Sequence, residues 1–531
     1  MPKNNENKEF ERCFEHPANL GSYFGNVVNG QPKDWKTPFA KGVSTKELLS
    51  SWRKVLVSIG DTWPSLLEYE DDLAKKVGPM SIELPLEERM SDIESYYDGI
   101  LLPSKPIDDS AIHAVVREYS RLGGLEIRSQ ARTIDKMRKS TNSGSPFFTK
   151  KRFVTLKTWP CEVGIDGQLV WQKLRSGNYD ACAILGWRGQ EGGPSIEDVK
   201  QRVVWMFPYS VNIRELQVYQ PLIEGVQHFN VNPAWVSMDS VDREITKLFD
   251  TKGSDPIVCT DFTKFDQHFN ESLQSASYAV LNALLNKTNP ENRDWLQNVF
   301  PIKYMIPLAY NMGKMKFGRH GMGSGSGGTN ADETLAHRAL QYEAAILRGA
   351  RLNPHSQCLG DDGVICYPGI TVDDVIDTYT SHGLEMNKDK QYVSNNDCIY
   401  LRRWHHKDYR IQGVCAGVYS TMRALGRMRY LERYMDPKKG WDEKAVALRY
   451  LSILENVKYH PLKEQFVDYC MKWDKYRLGI DIPHFLDNIR AVAQEKINLM
   501  PGFLGYTKSM QMDDPLSGIE NWWVVQYLKS K

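Results

Sequence analysis

The apolar positions change period repeatedly through the middle of the chain, and each change marks an element boundary. "IVCT" (Ile257–Thr260), just after Asp255-Pro256, has the length and composition of a short buried strand. Beyond it Phe269, Leu273, Val280, Leu281 and Leu284 fall on one face at helical spacing, predicting an amphipathic helix. A second helix is predicted after the glycine-rich "GMGSGSGGTNADE" (Gly321–Glu333), with Leu335, Ala339, Tyr342 and Ile346 in one stripe and Gly349 as its stop. At its start Asn330 and Glu333, three residues apart, resemble a capping-box pair. Two apolar runs in "QCLGDDGVICYP" (Gln357–Pro368) read as a β-hairpin, with Gly363 as the turn residue that lets it close, because Asp-Gly between apolar runs is a strong hairpin signal. Val372, Val375, Ile376 and Tyr379 predict a further helix from Thr371, with Asp373 and Asp374 well placed for the dipole of its first turn. Strand, helix, helix, hairpin, helix is an α+β order with antiparallel pairing.

Upstream, "STKELLSSWRKVLVSIG" predicts a helix capped by Ser44 and stopped at Gly60. Beyond about Arg423 the pattern is mostly helical to the apolar end "ENWWVVQYLKSK". At 531 residues the chain exceeds one hydrophobic core, so several domains or subdomains are expected.

Charge changes the picture only locally. The formal net charge is +1, so bulk charge does not argue for a nucleic-acid partner. From Arg121 to Arg152, however, nine Lys or Arg (Arg121, Arg128, Arg132, Lys136, Arg138, Lys139, Lys150, Lys151, Arg152) stand against Glu126 and Asp135, around the turn-rich "TNSGSPFF". "KQRVVWMFP" (Lys200–Pro208) is a second basic spot. Nine cysteines without a C-x-x-C pair argue against a disulfide scaffold or a clustered zinc site and fit a reducing compartment. The N-terminus lacks the apolar stretch of a signal peptide, and no apolar run approaches the ~20 residues that cross a bilayer. A soluble, cytosolic protein without a membrane partner is expected.

Candidate chemistry centres on Asp361 and Asp362. Adjacent carboxylates on a tight turn repel, and become favourable when a divalent cation sits between them and a further carboxylate. Asp261, at the end of the "IVCT" strand, is the natural third group; if that strand lies beside the hairpin, Asp261 and Asp361 face each other and can hold two metal ions. Helix capping is the plainer reading of Asp261 alone. In the glycine loop, Gly323-x-Gly325-x-x-Gly328 fits a dinucleotide fingerprint, but the "NMGKMKFGRHGM" before it is a poor strand where that fingerprint expects one, and the chain contains no P-loop.

Taken in order, the motifs resemble those of the viral RNA-dependent RNA polymerases. "DFTKFD" looks like the first palm motif of that family, "SGSGGT" (Ser324–Thr329) the second, "GDD" the third, "NKDKQ" the lysine-bearing fourth and "YLRRW" the primer grip. "KQRVV" resembles the basic finger motif and "TNSGSPF" the template-entry motif. In detail and length the chain looks closest to the polymerases of picobirnaviruses, which have double-stranded RNA genomes.

The resemblance implies a right-hand polymerase: residues 1–250 as N-terminal region and fingers, 251–286 as palm, 287–318 returning to the fingers, 319–422 as palm with an antiparallel sheet, and 423–531 as a largely helical thumb. It implies RNA-templated transfer of ribonucleotides in viral replication and transcription, with Mg²⁺ (or Mn²⁺ in its place) on Asp261 and Asp361 and Asp362 a weaker or outer ligand. Lys390 would give a proton to the pyrophosphate, with Lys388 as a competing choice. Lys200 and Arg202 would neutralise the triphosphate, Asp266 would face the ribose 2′-hydroxyl, and Ser324 and Thr329 would hold that geometry. Ser143, Gly144, Pro146, Gly325, Arg402 and Arg403 would contact template or primer. One departure is visible: the family usually has Asn four residues after the threonine, and here that position is Glu333. Either Glu333 takes the 2′-hydroxyl, or Asn330 or Asp332 does in a shifted loop. RNA, ribonucleoside triphosphates and a viral capsid protein are the implied partners, and the virion interior and host cytoplasm the implied locations.

Rival readings remain at this stage. They are an NAD(P) oxidoreductase on the glycine run, an RNA-binding or capsid-associated protein using Arg121–Arg152, and a reverse transcriptase. The last is disfavoured by Gly360 before the two aspartates and by Asp266 in the ribose position. The C-terminal "ENWWVVQYLKSK" is expected to pack on the thumb, with a plug in the product channel as the alternative.

Overall fold

Ser44 does cap the first long helix: its Oγ accepts from the Glu47 N–H and α1 (Thr45–Leu56) follows. The structure, a computed structural model, describes residues 5–500 and 518–531. The α-helix ends at Leu56 and a 3-10 turn, Val57–Asp61, carries the chain through Gly60, so that glycine sits inside the tighter turn. Then come α2 (Pro64–Ala74) and α3 (Asp109–Glu118). α4 (Lys151–Thr158) precedes a three-stranded antiparallel sheet of β1 (Glu162–Asp166), β2 (Leu169–Leu174) and β3 (Gly177–Ala181). β4 (Ala183–Gln190) and β5 (Lys200–Met206) form a long antiparallel pair.

Two helices, α5 (Tyr209–Phe229) and α6 (Met238–Thr251), lead to β6 (Ile257–Thr260), which coincides with the predicted strand. α7 (Glu271–Leu284) begins only after Asn270, whose side chain accepts from the Ser272 N–H. β7 (Leu308–Asn311) and β8 (Lys314–Lys316) then return to the earlier sheet, β7 lying parallel to β4. Next are α8 (Thr329–Ile346), the hairpin of β9 (Gln357–Leu359) and β10 (Asp362–Ile365), and α9 (Val372–Thr380), which starts where the pattern predicts, with Thr371 as its cap. Ile346, placed by periodicity on the buried stripe of α8, is exposed where that helix ends.

β11 (Tyr392–Ser394) completes a central antiparallel sheet of order β11-β6-β10-β9. β12 (Asp397–Tyr400), β13 (Arg403–His406) and β14 (Val418–Tyr419) form another sheet, before α10 (Thr421–Arg429), α11 (Glu443–Leu454), α12 (Lys463–Trp473) and, at the C-terminus, α13 (Trp523–Lys529).

Two large cores organise these elements. One gathers β6, β10, α5, α7 and α8 around Val258, Val364, Leu335 and Leu340. The other joins Phe39, Leu48, Trp52 and Tyr69 to α10, α11 and α12. Residues 39–69, grouped by sequence with the fingers, therefore share a core with the expected thumb. Glu70 anchors that union: buried on α2, it accepts from Ser420 Oγ, the Thr421 and Met422 N–H groups and His460 Nε2. The C-terminal helix packs here too. Val524, Val525 and Leu528 are buried, and the Trp523 and Val524 N–H groups donate to Glu455, so the packed reading of this segment is the observed one.

The segments expected as fingers and thumb also meet through charge. Glu191, in the loop after β4 and only 11% exposed, pairs with Arg423 (3.1 Å) and Arg427 (3.3 Å) on α10 and with Arg402 (3.6 Å). Farther out, Arg188 on β4 pairs with Glu432 at 3.2 Å.

Candidate functional site

The register of the central sheet brings the carboxylates together. β6 and β10 pair antiparallel with Thr260 opposite Gly363, so Asp261, one residue past β6, lies across from the Asp361–Asp362 pair, and its charge acts on Asp361. The alternating pleat turns Asp362 to the other side of the strand from its neighbours. Its Oδ2 accepts from the Leu401 N–H at 2.8 Å, which ties the β9–β10 hairpin to the turn after β12.

The turn itself departs from the sequence expectation. Gly360, not Gly363, takes the left-handed conformation, with φ +58°. Gly363 lies within β10, where a Cβ would stand 2.7 Å from His337 Cε1. It is needed for closeness, not for turning. Gly360 is clamped by α8: its N–H donates to Thr334 Oγ1 at 2.9 Å, and its carbonyl accepts from His337 Nδ1 at 2.8 Å. Burial holds His337 down at about 4, so the ring is neutral and the nitrogen facing the carbonyl carries its proton. Gln341, one turn on, donates to Gln357 O and Val364 O on both hairpin strands. Sequence reasoning missed Thr334, His337 and Gln341; polar residues repeating at 334, 337 and 341 inside a buried helix were the available signal.

Asp261 is positioned by another residue that sequence reasoning missed. Gln391 accepts from the Asp261 N–H (2.7 Å) and donates to the Asp261 carbonyl (2.8 Å), extending the β6–β11 pairing by one side chain. Desolvation in the cleft raises the Asp261 carboxyl, opposed by Lys390, Lys76 and Lys200. Lys76 was not anticipated. Lys388 is engaged elsewhere, on Asp373 at 2.8 Å, which leaves Lys390 as the lysine of that motif facing Asp261.

Asp361 keeps solvent-accessible surface yet lies deep in the cleft, and desolvation, Asp266 and Asp261 raise its carboxyl. Burial and the Asp361 charge push Asp362 up to about 7. Glu333 is buried and raised far above the carboxylate range, first by desolvation and then by Asp266, with which it shares a hydrogen bond; Arg202 faces both. Two carboxyls that share a hydrogen bond need a proton between them, so the pair presents a hydrogen where an amide would, and Glu333 is the more strongly raised of the two. The capping-box pair does not form: Gly328 holds the cap position, and Asn330 Oδ1 instead accepts from Trp235 Nε1 at 2.8 Å. Asp332 is buried and bonded to Tyr219 and Tyr304 hydroxyls and to Lys303, facing away from the cleft.

The glycine loop is a packed element. A Cβ at Gly325 would lie 1.7 Å from the Trp205 carbonyl oxygen. Ser324 Oγ accepts from the Trp205 N–H and donates to Val203 O, fixing the loop to β5, while Thr329 Oγ1 donates to Gly323 O and Ser326 O. Lys200 and Arg202, at the exposed start of β5, are thereby set against the carboxylates.

Other expected contacts are placed differently. Ser143, Gly144 and Pro146 are buried; Ser143 Oγ accepts from the Thr149 N–H, and a Cβ at Gly144 would meet Phe207 O at 2.7 Å. Their side chains shape a turn and offer no surface to a template. Arg403 is also buried, its guanidinium bonded to both oxygens of Asp242 at 2.9 Å. Arg402 stays exposed at the rim, paired with Glu191.

Among the described residues no three carboxylate, imidazole or thiolate groups close into a ready-made metal cage. The oxygen-only pair Asp261 and Asp361 fits a hard divalent cation, which completes its shell with phosphate oxygens and water.

An antiparallel palm-like sheet with carboxylates at adjacent strand ends, roofed by a basic strand, defines a template-directed polymerase. The family model "Viral RNA-dependent RNA polymerase" matches residues 117–468, and the chain belongs to that family. It is 61% identical over 518 residues to a potential RNA-dependent RNA polymerase of human picobirnavirus (strain Human/Thailand/Hy005102/-), covering 96% of each chain. Its structure is similar to the crystal structure of the RNA-dependent RNA polymerase of a human picobirnavirus (TM-score 0.94, 60% identity, 98% of this chain and 99% of the other). An insertion-loop deletion mutant of a human picobirnavirus polymerase matches at TM-score 0.92 and 58% identity, over 98% of this chain and 99% of that one. The right-hand fold and the enzyme class expected from sequence are thus those of the protein. Among the described residues no helix is long and apolar enough to cross a membrane.

Proposed function

We propose that this RNA-dependent RNA polymerase extends RNA by two-metal nucleotidyl transfer and so replicates and transcribes a viral genome. The supporting observation is the meeting of Asp261 and Asp361 at adjacent strand ends, with Lys390 and Lys200 on one side and Arg202 with the Asp266–Glu333 pair on the other. The family generally uses divalent metal ions, and Mg²⁺, with Mn²⁺ as substitute, suits these oxygen donors. Bound there, such ions would lower the cost of ionising the primer 3′-hydroxyl and neutralise charge on the transferred phosphate.

The protein's own groups do the rest. Lys200 and Arg202 counter the triphosphate charge. Lys390 gives its proton to the departing pyrophosphate as the 3′-oxygen to α-phosphorus bond forms and the bond to the β-phosphate oxygen breaks. Asp266 accepts from the ribose 2′-hydroxyl, held by the neutral Glu333 carboxyl in the role an asparagine amide would fill. Asp362 acts through Leu401, keeping the hairpin against β12. Synthesis would proceed in a virion interior or host cytoplasm, with capsid protein as a partner.

The test is incorporation of labelled ribonucleotides on a defined template with Mg²⁺ or Mn²⁺. Asp361→Ala should abolish template-dependent product while melting like the wild type, and product surviving in that variant would sink the reading. In the same assay Asp266→Ala should narrow the preference for ribo- over deoxyribonucleotides.

A further inference from the structure

The basic run between Arg121 and Arg152 divides in the folded chain. Arg128 and Lys136 are both engaged by one carboxylate, Glu224. The cations around α4 do the opposite. Lys151 Nζ donates to Thr141 Oγ1 (2.7 Å) and lies over the Tyr209 ring; the Arg152 guanidinium covers Phe153 at 4.8 Å; Lys157 stands 5.5 Å over Phe147. With Lys150 they make four cations without a carboxylate partner among the described residues, on a chain whose formal net charge is only +1.

The same face exposes apolar surface. Phe153 is 64% and Leu156 69% exposed, three residues apart on an α-helix and therefore neighbours. Even with the Arg152 guanidinium over it, the Phe153 ring keeps most of its surface in water, and with Leu156 it forms an apolar patch among cations that lack a carboxylate partner. Bases stacking on an aromatic ring and phosphates meeting Lys and Arg are what a flexible single strand supplies.

The place of α4 in the fold fits that occupant. The Thr141 carbonyl accepts from the Lys151 N–H, and the Ser143 carbonyl from the Tyr209 N–H, so the buried turn joins α4 to the far end of β5. β5 carries Lys200 and Arg202 at its other end, so about 20 Å of strand separates the turn that holds α4 from those two cations. The turn expected to touch template is thus the foundation of an outward platform.

We propose that the exposed face of α4, with Phe153 as stacking ring and Lys150, Arg152 and Lys157 as phosphate contacts, docks single-stranded RNA outside the polymerisation cleft.

The full-length protein is titrated with fluorescent single-stranded RNA of about 8 and about 30 nucleotides, lengths chosen to fill the cleft alone or to reach beyond it. Arg152→Glu/Lys157→Glu should weaken binding of the longer RNA at least tenfold and flatten its log affinity–log salt slope by about 1.4, the value for two lost phosphate contacts. Phe153→Ser should weaken the longer RNA about fivefold or more with its salt slope unchanged. Binding of the short RNA, and extension of a short primed template, should stay at wild-type levels. Unchanged affinity for the longer RNA in both variants overturns the proposal and leaves the face to a protein partner. Equal weakening on both lengths overturns it too, since the effect would then lie in the cleft. Arg152→Gln/Lys157→Gln, read in the same way, replaces the charge-reversed variant if that variant melts early.

Discussion

Gly363→Ala tests whether this glycine is required by packing or by turn geometry. Its φ is outside the left-handed region, so alanine meets no backbone penalty. The new methyl would instead lie 2.7 Å from His337 Cε1, 2.8 Å from His337 Nε2 and 3.1 Å from Thr260 Oγ1. Carbon atoms in contact sit about 3.5–4.0 Å apart, so the overlap is close to 1 Å. His337 has little room to yield: its Nδ1 is bonded to Gly360 O, and its ring packs edge-on to Phe262 and Tyr379. The overlap therefore costs about 1–3 kcal/mol as overpacking, or it pushes β10 away from β6. A displacement of about 1 Å between Asp361 and Asp261 is of the size that lowers rates roughly 100-fold. We expect Gly363→Ala to melt earlier and to extend a primed template by one nucleotide about 100-fold more slowly. In a His337→Ala background the added penalty of Gly363→Ala should largely vanish. Gly360→Ala should behave otherwise, costing about 1–2 kcal/mol from its left-handed φ, with Gly360→Asn recovering much of it. Wild-type melting and extension by Gly363→Ala would refute the packing argument, as would an equal penalty with and without His337.

Lys390→Ala should slow single-nucleotide extension by about 100-fold or more, while Lys388→Ala, which only breaks an exposed pair with Asp373, stays near wild type; the reverse order would exchange their roles. Asp362 is raised to about 7 in the fold against an ordinary carboxyl near 4, so the folded state holds a proton that the unfolded chain has released between those values. Its contribution to stability is therefore present at low pH and lost as pH rises from about 4 to 7. Melting of the protein in chelator should show this decline, and Asp362→Asn should flatten it. Glu333→Gln keeps a neutral donor beside Asp266 and should preserve the ribonucleotide preference, whereas Glu333→Ala should erode it; competitive incorporation of ribo- and deoxyribonucleotides reads both. Deleting Asn521–Lys531 uncovers the core beneath Val524, Val525 and Leu528, about 5 kcal/mol of burial, and should lower the melting temperature and the soluble yield.

The strand at Ile257–Thr260, the hairpin and the helix capped by Thr371 were legible because each is written in a few consecutive residues. The meeting of Asp261 with Asp361 was not, since it depends on pairing between segments about a hundred residues apart; the likeness to known motifs supplied that link. "LGDDGV" offers two glycines for one turn, and only the clamp by Thr334 and His337 selects Gly360. Local capping chemistry favoured a bond between Asn330 and Glu333, but tertiary packing recruited Trp235 to one and Asp266 to the other. Arg403 looked like a nucleic-acid contact until Asp242, distant in sequence, met it with both oxygens. The union of residues 39–69 with the thumb core likewise leaves no trace in the hydrophobic pattern of either segment.

The ion pairs that join the end of β4 and the loop after it to α10 and its surroundings are of two kinds. Ions in solution weaken an attraction only where they can come between the partners. Arg188 is more than half exposed and its bond to Glu432 lies open to them. Glu191, with three guanidinium groups around it, is largely sheltered. As ionic strength rises the outer pair gives way first and the inner cluster persists, so the contact between the β4 end and α10 loosens at its margin while its centre stays fastened.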